Sequence, residues 1–202
     1  FTTTMKEWRP CTEEIPMTRF LWPIAAITFL SVTGCFHTPE SPGYSHLYEQ
    51  ALAQKRGVAS PPPAALERFI ALYSPINADY IREHLDEVYA EQIYFNDTLA
   101  TFYRRDELKK HMLKTAGRLD EMKLYVRKIW RDEDDVFLQW IMETHFKILG
   151  RNRSSRTIGI SQLRFNRQGQ VIFHQDFWDS SQGLDQHLPI IGTLTRTLRE
   201  HP

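Results

Sequence analysis

The sequence predicts an α+β domain, a curved antiparallel sheet with N-terminal helices packed around a cavity. Three observations lead there. Apolar residues recur at helical spacing from Pro63 to Gly117, interrupted by one extended stretch. From Met122 to Asp179 the period changes to two, in four runs separated by turn residues. Helix, helix, short strand, helix and then a four-strand meander is an α+β order. Aromatic residues make up 12% of the chain, which suits a bent sheet or an aromatic-lined cavity.

The elements follow in turn. "PAALERFIALYS" is a helix: Pro63 fits its first turn, Leu66, Phe69, Ile70 and Tyr73 share a stripe, and Pro75 stops it. "NADYIREHLDEVYA" is a second helix, with Asn77 as cap and Ile81, Leu85 and Val88 on one side. "EQIYFNDTL" is extended, and Asn96-Asp97 supplies turn chemistry. "RRDELKKHMLKTAG" is a third helix, ended at Gly117. "MKLYVRKIW", "DVFLQWIMETHFKIL", "SSRTIGISQLRF" and "QVIFHQDFWD" are strands. Their turns fall at Asp132 to Asp135, Gly150 to Arg153 and Asn166 to Gly169. An amphipathic segment, "GLDQHLPIIGTLTRTLREH", closes the chain.

The N-terminal part has a different character. "FLWPIAAITFL" is apolar but shorter than the roughly 20 residues a bilayer span needs. Met17 and Arg19 precede it, and Val32-Thr33-Gly34-Cys35 follows. A positive charge, a short apolar run and small residues form the order of a secretory signal. The last four residues resemble the bacterial lipobox, which implies that Cys35 is lipidated and becomes the first mature residue. Met17 then reads as the start, and residues 1–34 as upstream residues and signal. Residues 35–62 read as the lipidated Cys and a tether, in which Ser45 to Lys55 is a short helix and Pro61-Pro62-Pro63 a stiff spacer. Tyr44, Leu47, Tyr48 and Leu52 allow a second reading, an arm packed on the domain. The domain itself is 63–202. Cys11 would leave with the signal, so no disulfide is expected. Phe36, rather than Asp, follows the Cys, which by resemblance to enterobacterial lipoproteins implies the cell envelope's outer membrane, periplasmic face, over the inner membrane.

Formal net charge is zero, from 25 basic and 25 acidic residues, so nothing draws the chain to nucleic acid. Arg104-Arg105 and Lys109-Lys110 lack interleaved aromatics and read as a solvated helix face. A hydrophobic fraction of 42% suffices for a core.

Over about residues 64–180 the chain resembles the NTF2-like superfamily, and within it the SnoaL-like and ketosteroid-isomerase-like proteins. "LERFIALYS" with "HLDEVYAEQIYFNDT", the helix "RRDELKKHM", and "QLRFNRQGQVIFHQDFWD" carry the likeness. The resemblance implies a cone with an open mouth. It does not by itself imply an activity, because such a fold hosts many. Ketosteroid isomerases use an Asp base and two acids, a Tyr and a protonated Asp, that hold the developing enolate oxygen. The resemblance places the base at Asp97, the Tyr at Phe69 and the second acid at Ser161. Both donors are therefore lost or weakened, and one such loss costs on the order of 10²–10³ in rate.

The resemblance also turns Trp178 towards the cavity. Alternation then places Ile172, His174 and Asp176 on the same face, with Ser161 and Leu163 beside them and Val171, Phe173 and Phe177 opposite. Phe69 and Tyr94 complete the ligand-facing set. An Asp two residues from a His can fix the tautomer of the imidazole, as a general base requires. The sharp reading is a catalytic His174–Asp176 dyad with Asp97 opposite. The plainer reading is an internally bonded polar cluster. Glu143 or His145 could join His174 and Asp176 as metal ligands, but no ligand spacing marks a site, so neither metal nor cofactor is assigned. His111, between Leu108 and Met112, reads as a packed or surface residue, and Trp130 and Trp140 as core or cavity wall. Two functions remain: a lipid-anchored protein binding a small apolar ligand or a partner protein, or a cofactor-free acid–base enzyme. A homodimer through the sheet is the expected assembly, on the resemblance alone.

The lipobox reading predicts that a palmitate analogue fed to cells labels the wild-type chain and not Cys35→Ser. Labelling of both, or of neither, contradicts it.

Overall fold

The computed structural model describes residues 43–183 and Thr197. The signal, Cys35 and the closing segment after Gly183 lie outside the described residues. The chain divides at Glu40, and the fold below belongs to the unit Ser41–Pro202.

The elements run α1 (Tyr44–Gln54), α2 (Pro63–Tyr73), α3 (Ala78–Val88), β1 (Tyr89–Asn96), β2 (Thr101–Arg104), α4 (Arg105–Ala116), β3 (Leu119–Asp132), β4 (Asp135–Ile148), β5 (Arg151–Phe165), β6 (Val171–Trp178) and a short α5 (Ser180–Gly183). Local chemistry accounts for the helix limits. Pro63 opens α2 at a position whose N–H has no partner to lose. The Asn77 side chain accepts from the backbone N–H of Asp79 (2.9 Å) and Tyr80 (3.0 Å), capping α3 as its sequence requires. Strand β2 was not among the expected elements. Asn96 and Asp97 turn the chain into it: Asn96 Oδ1 accepts from Thr98 N, and Asp97 Oδ1 from Leu99 N and Ala100 N. These bonds hold Thr98 at φ 69°, a left-handed conformation unusual for a branched residue.

One six-stranded sheet results, in the order β2-β1-β6-β5-β4-β3. The meander β3 to β6 is antiparallel, as expected. β1 joins β6 in parallel, so the sheet is mixed rather than wholly antiparallel. Helices α2, α3 and α4 bury Phe69, Leu72, Ile81, Leu85, Leu108 and Met112 against its inner face. Each such side chain contributes about 1.5–3 kcal/mol when taken from water.

The alternation in β6 is broken by a bulge. Phe165 pairs with Val171 and Arg164 with Phe173, leaving Ile172 without a partner in the ladder. Val171 therefore joins the inner core, while His174, Asp176 and Trp178 still face inward. Phe173 lies on the outer face, packed with Tyr94 and Ala51.

Residues read as part of a tether thus carry a packed element. Helix α1 covers the outer sheet face, with Tyr48 Oη donating to Gln162 Oε1 at 2.8 Å. This explains a lapse in β5, where burial alternates to Ser161 and then becomes continuous through Phe165. Arg164 is the fastening. Its Nε and Nη2 reach both Asp135 oxygens at 2.7 and 2.9 Å, and Nη1 donates to the carbonyls of Leu52 (2.8 Å) and Lys55 (3.2 Å). The guanidinium also lies 5.7 Å from the Phe173 ring centre.

Arg164→Met keeps the apolar stem but strips a buried carboxylate and two carbonyls of their donor. It should lower stability by about 3 kcal/mol in chemical denaturation. A loss below about 0.5 kcal/mol would show that α1 is held otherwise.

Candidate functional site

Between the helices and the inner sheet face lies a cavity of about 610 Å³. Apolar groups dominate its wall, among them Phe69, Phe95, Met122, Leu124, Trp140, Met142 and Trp178. Asp97, His111, Ser161, His174 and Asp176 also line it.

Close approach of backbone shapes one wall. Trp140 of β4 is paired with Gly159 of β5, and a Cβ at that glycine would stand 2.3 Å from the indole ring. The missing side chain lets the ring lie across β5, where its Nε1 donates to Ser161 Oγ at 2.9 Å. Ser161 in turn donates to Asp176 Oδ1 through a short hydrogen bond.

From Asp176 the polar chain continues inward. His174 Nε2 lies 2.9 Å from the same Oδ1 oxygen, and His174 Nδ1 lies 2.7 Å from the Tyr89 hydroxyl. Tyr89 is bonded to the Tyr73 hydroxyl at 2.7 Å. A carboxylate only accepts, so Nε2 carries hydrogen and donates. In the neutral ring Nδ1 then accepts from Tyr89, and Tyr89 accepts from Tyr73. Burial pushes both phenols well above their ordinary range, so both stay protonated. The ring is 1% exposed and is packed by Phe69, Phe95, Tyr73 and Tyr89. His174 therefore has no nitrogen left for a ligand. Asp176 does have an oxygen: its side chain is 16% exposed, and Oδ2 has no hydrogen-bond donor among the described residues.

Asp97 occupies a neighbouring position. It follows Asn96, which pairs with Gln175, as Asp176 follows Gln175. Its Oδ2 accepts from His111 Nε2 at 3.1 Å, and the Trp178 indole donates to its backbone carbonyl at 2.7 Å. Burial pushes the Asp97 carboxyl up, but the bonds from His111 and from the N–H groups of Ala100 and Leu99 outweigh it and hold the pKa below the ordinary carboxylate value.

The structure thus brings His174, Asp176, Asp97, Ser161, Phe69 and Trp178 to one cavity. It does not bring the others. Tyr94 lies on the outer face under α1, and its hydroxyl donates to Gln175 Oε1 at 3.0 Å. Leu163 is fully buried in the core behind the wall. Ile172 is displaced by the bulge. Glu143 and His145 flank inward-facing Thr144 on β4 and pair instead with Arg156 and Glu121, so they do not approach His174. No group of three metal-ligating side chains occurs among the described residues.

Three participants escape a reading of the sequence. His111 is three residues past buried Leu108 and adjoins Met112, so the helical stripe already contained the signal that it faces inward. Tyr73 stands one turn after Phe69 on the same stripe. Tyr89 gave no such signal, because it marks the junction of α3 with β1.

Residues 69–174 match the family described as "Uncharacterized conserved protein (DUF2358)", and the chain belongs to that family. No curated protein matches the sequence. Among solved structures, it is similar to a hypothetical protein with a ketosteroid isomerase-like fold from Catenulispora acidiphila DSM 44928, solved in complex with trimethylamine (TM-score 0.50, 17% identity, 60% of this chain and 90% of that one). It is also similar to a protein described as a SnoaL-like polyketide cyclase from Shewanella denitrificans OS-217 (TM-score 0.52, 11% identity, 60% and 94%). A second such protein, from Shewanella putrefaciens CN-32, gives a TM-score of 0.51 at 9% identity over 60% and 93%. At these identities the likeness establishes the fold, which is the expected NTF2-like cone.

His174 joins Tyr89 to Asp176 in the interior, so His174→Ala should leave the Tyr89 hydroxyl without its acceptor, take one of two donors from Asp176 and open a void. We expect a loss of about 2–4 kcal/mol in denaturant unfolding. A loss under about 1 kcal/mol would show that the ring is not structural.

Proposed function

We propose that the protein binds a small, largely apolar ligand inside the cone. The observation that carries this reading is the cavity of about 610 Å³, apolar over most of its wall, with the carboxylates of Asp97, just past β1, and Asp176, on β6, among its few polar groups. Burial of a ligand's apolar surface supplies affinity there, and Asp97 and Asp176 orient it.

A second reading, cofactor-free acid–base catalysis, is favoured by one feature. Asp176 lines the cavity, and Ser161 and His174 hold Oδ1 while Oδ2 has no donor among the described residues. In that reading Asp176 is the base, and His174 is a positioning residue. Against it, the side chains that stand near an enolate site are already engaged. Ser161 donates to Asp176, Phe69 has no hydroxyl, and the Tyr73 hydroxyl is bonded to Tyr89. An oxyanion formed in the cavity would lack the preorganised donors that such chemistry needs.

In the same proposal, on the lipobox resemblance alone, Cys35 carries a lipid that anchors the protein to the envelope, on the periplasmic face of the outer membrane. Tyr125, Ile158 and Phe177, exposed on the outer sheet face, support a homodimer through that face.

Native mass spectrometry of the purified full chain should detect a bound small molecule in excess of the polypeptide mass. Met142→Trp, which fills the cavity, should abolish that species. A bare polypeptide mass from every preparation, with a neutral naphthalene fluorophore failing to bind, contradicts the reading.

A further inference from the structure

Hydrogen-bonding capacity inside the cavity is unevenly spent. The Trp140 N–H goes to Ser161, the Ser161 hydroxyl to Asp176, the His174 N–H to Asp176, the His111 N–H to Asp97 and the Trp178 N–H to the Asp97 carbonyl. Every indole and imidazole donor named here is thus turned towards the protein. The hydroxyls of Thr115 and Thr144 can donate or accept and so do not discriminate. What remains unspent is acceptor capacity, above all Asp176 Oδ2.

The charges are uneven too. Asp97 and Asp176 are 18% and 16% exposed, whereas Arg118 and Lys147, the Arg and Lys of the wall, are exposed at its margin. Lys147 already faces Asp120 at 3.6 Å. Asp97 is met by His111, so Asp176 is the carboxylate with an oxygen to spare, and its charge disfavours a bound anion. The apolar wall includes the rings of Phe69, Phe95, Trp140 and Trp178. Ring faces attract a cation and do not attract an anion.

We propose that the cavity selects a small organic cation, a protonated amine with an apolar body, whose N–H donates to Asp176 Oδ2 while the aromatic wall surrounds its carbon atoms. The inference rests on the ligand-binding reading and names the class of ligand. Phenylpropylamine, phenylpropanol and phenylpropanoate form a matched series with one body and three head groups.

The test is calorimetric titration of the full chain with each at neutral pH. The amine should bind about tenfold tighter than the alcohol, and the carboxylate weakest. Asp176→Asn should weaken the amine far more than the alcohol and bring the two within about threefold. Equal affinities for all three, or an amine preference unchanged in Asp176→Asn, would overturn the inference and leave ligand binding standing. Failure of all three probes to bind would overturn both. If Asp176→Asn does not fold, the wild-type order of amine and alcohol decides alone.

Discussion

His174 is nearly sealed from solvent, yet both ring nitrogens are hydrogen-bonded, and that double requirement ties the domain together. One nitrogen needs Tyr89, at the junction of α3 and β1; the other needs Asp176, two residues along β6. Tyr89 in turn needs Tyr73 from α2, and Asp176 is met by Ser161 from β5, which is met by Trp140 from β4. Six side chains from five elements satisfy one another in an interior where each unpaired member would cost roughly 1–3 kcal/mol. The chain fixes more than stability. It fixes which oxygen of Asp176 is occupied and which is presented to the cavity.

A sheet whose inner face carries such a network must still bury its outer face, because β6 is apolar on that side at Phe173 and Phe177. Helix α1 meets part of this need. It covers Phe173 and Tyr94, and Arg164 holds it there by bonding to the carbonyls at its C-terminal end. Farther along the strand Phe177 meets Tyr48 in a T-shaped contact yet stays 42% exposed. Coverage by α1 thus runs out where β6 approaches its C-terminal end. The segment between the N-terminal region and α2 is consequently part of the domain's packing, although its Pro, Ser and Gly content reads like a spacer.

Much of this was legible in the residues. Period-two runs gave the meander, Asn77 gave the α3 cap, and the inward placement of His174, Asp176 and Trp178 followed from alternation once Trp178 was oriented. What failed did so for local physical reasons. Alternation cannot anticipate a bulge, so Ile172 was assigned a cavity position that Val171's side of the strand took over. Tyr94 and Leu163 were placed by residue type and adjacency, yet one faces α1 and the other lies too deep to reach the opening. Strand β2 is only four residues long and carries no periodic pattern of its own. His111 was discounted because a polar residue beside a buried stripe is ambiguous until the facing strand is known. Here that strand, β1, leads directly into Asp97, which supplies the partner.

The displacement of one hydroxyl by a single helical turn bears on chemistry. At Phe69, where the resembled isomerases place a Tyr, the ring packs edge-on against His174 at 5.3 Å and offers no donor. Tyr73, four residues on, points at the same region but is held 2.7 Å from Tyr89 and so completes the buried chain instead of facing a ligand. Ser161 shows the same conversion: where the resemblance places an acid, its hydroxyl is directed at Asp176. The hydroxyls nearest these two positions, of Tyr73 and Ser161, belong to the buried chain that holds the Asp176 carboxylate. A site built this way stabilises negative charge on the protein rather than on the ligand. Its electrostatics therefore oppose an oxyanion and favour a positively charged or hydrogen-donating guest.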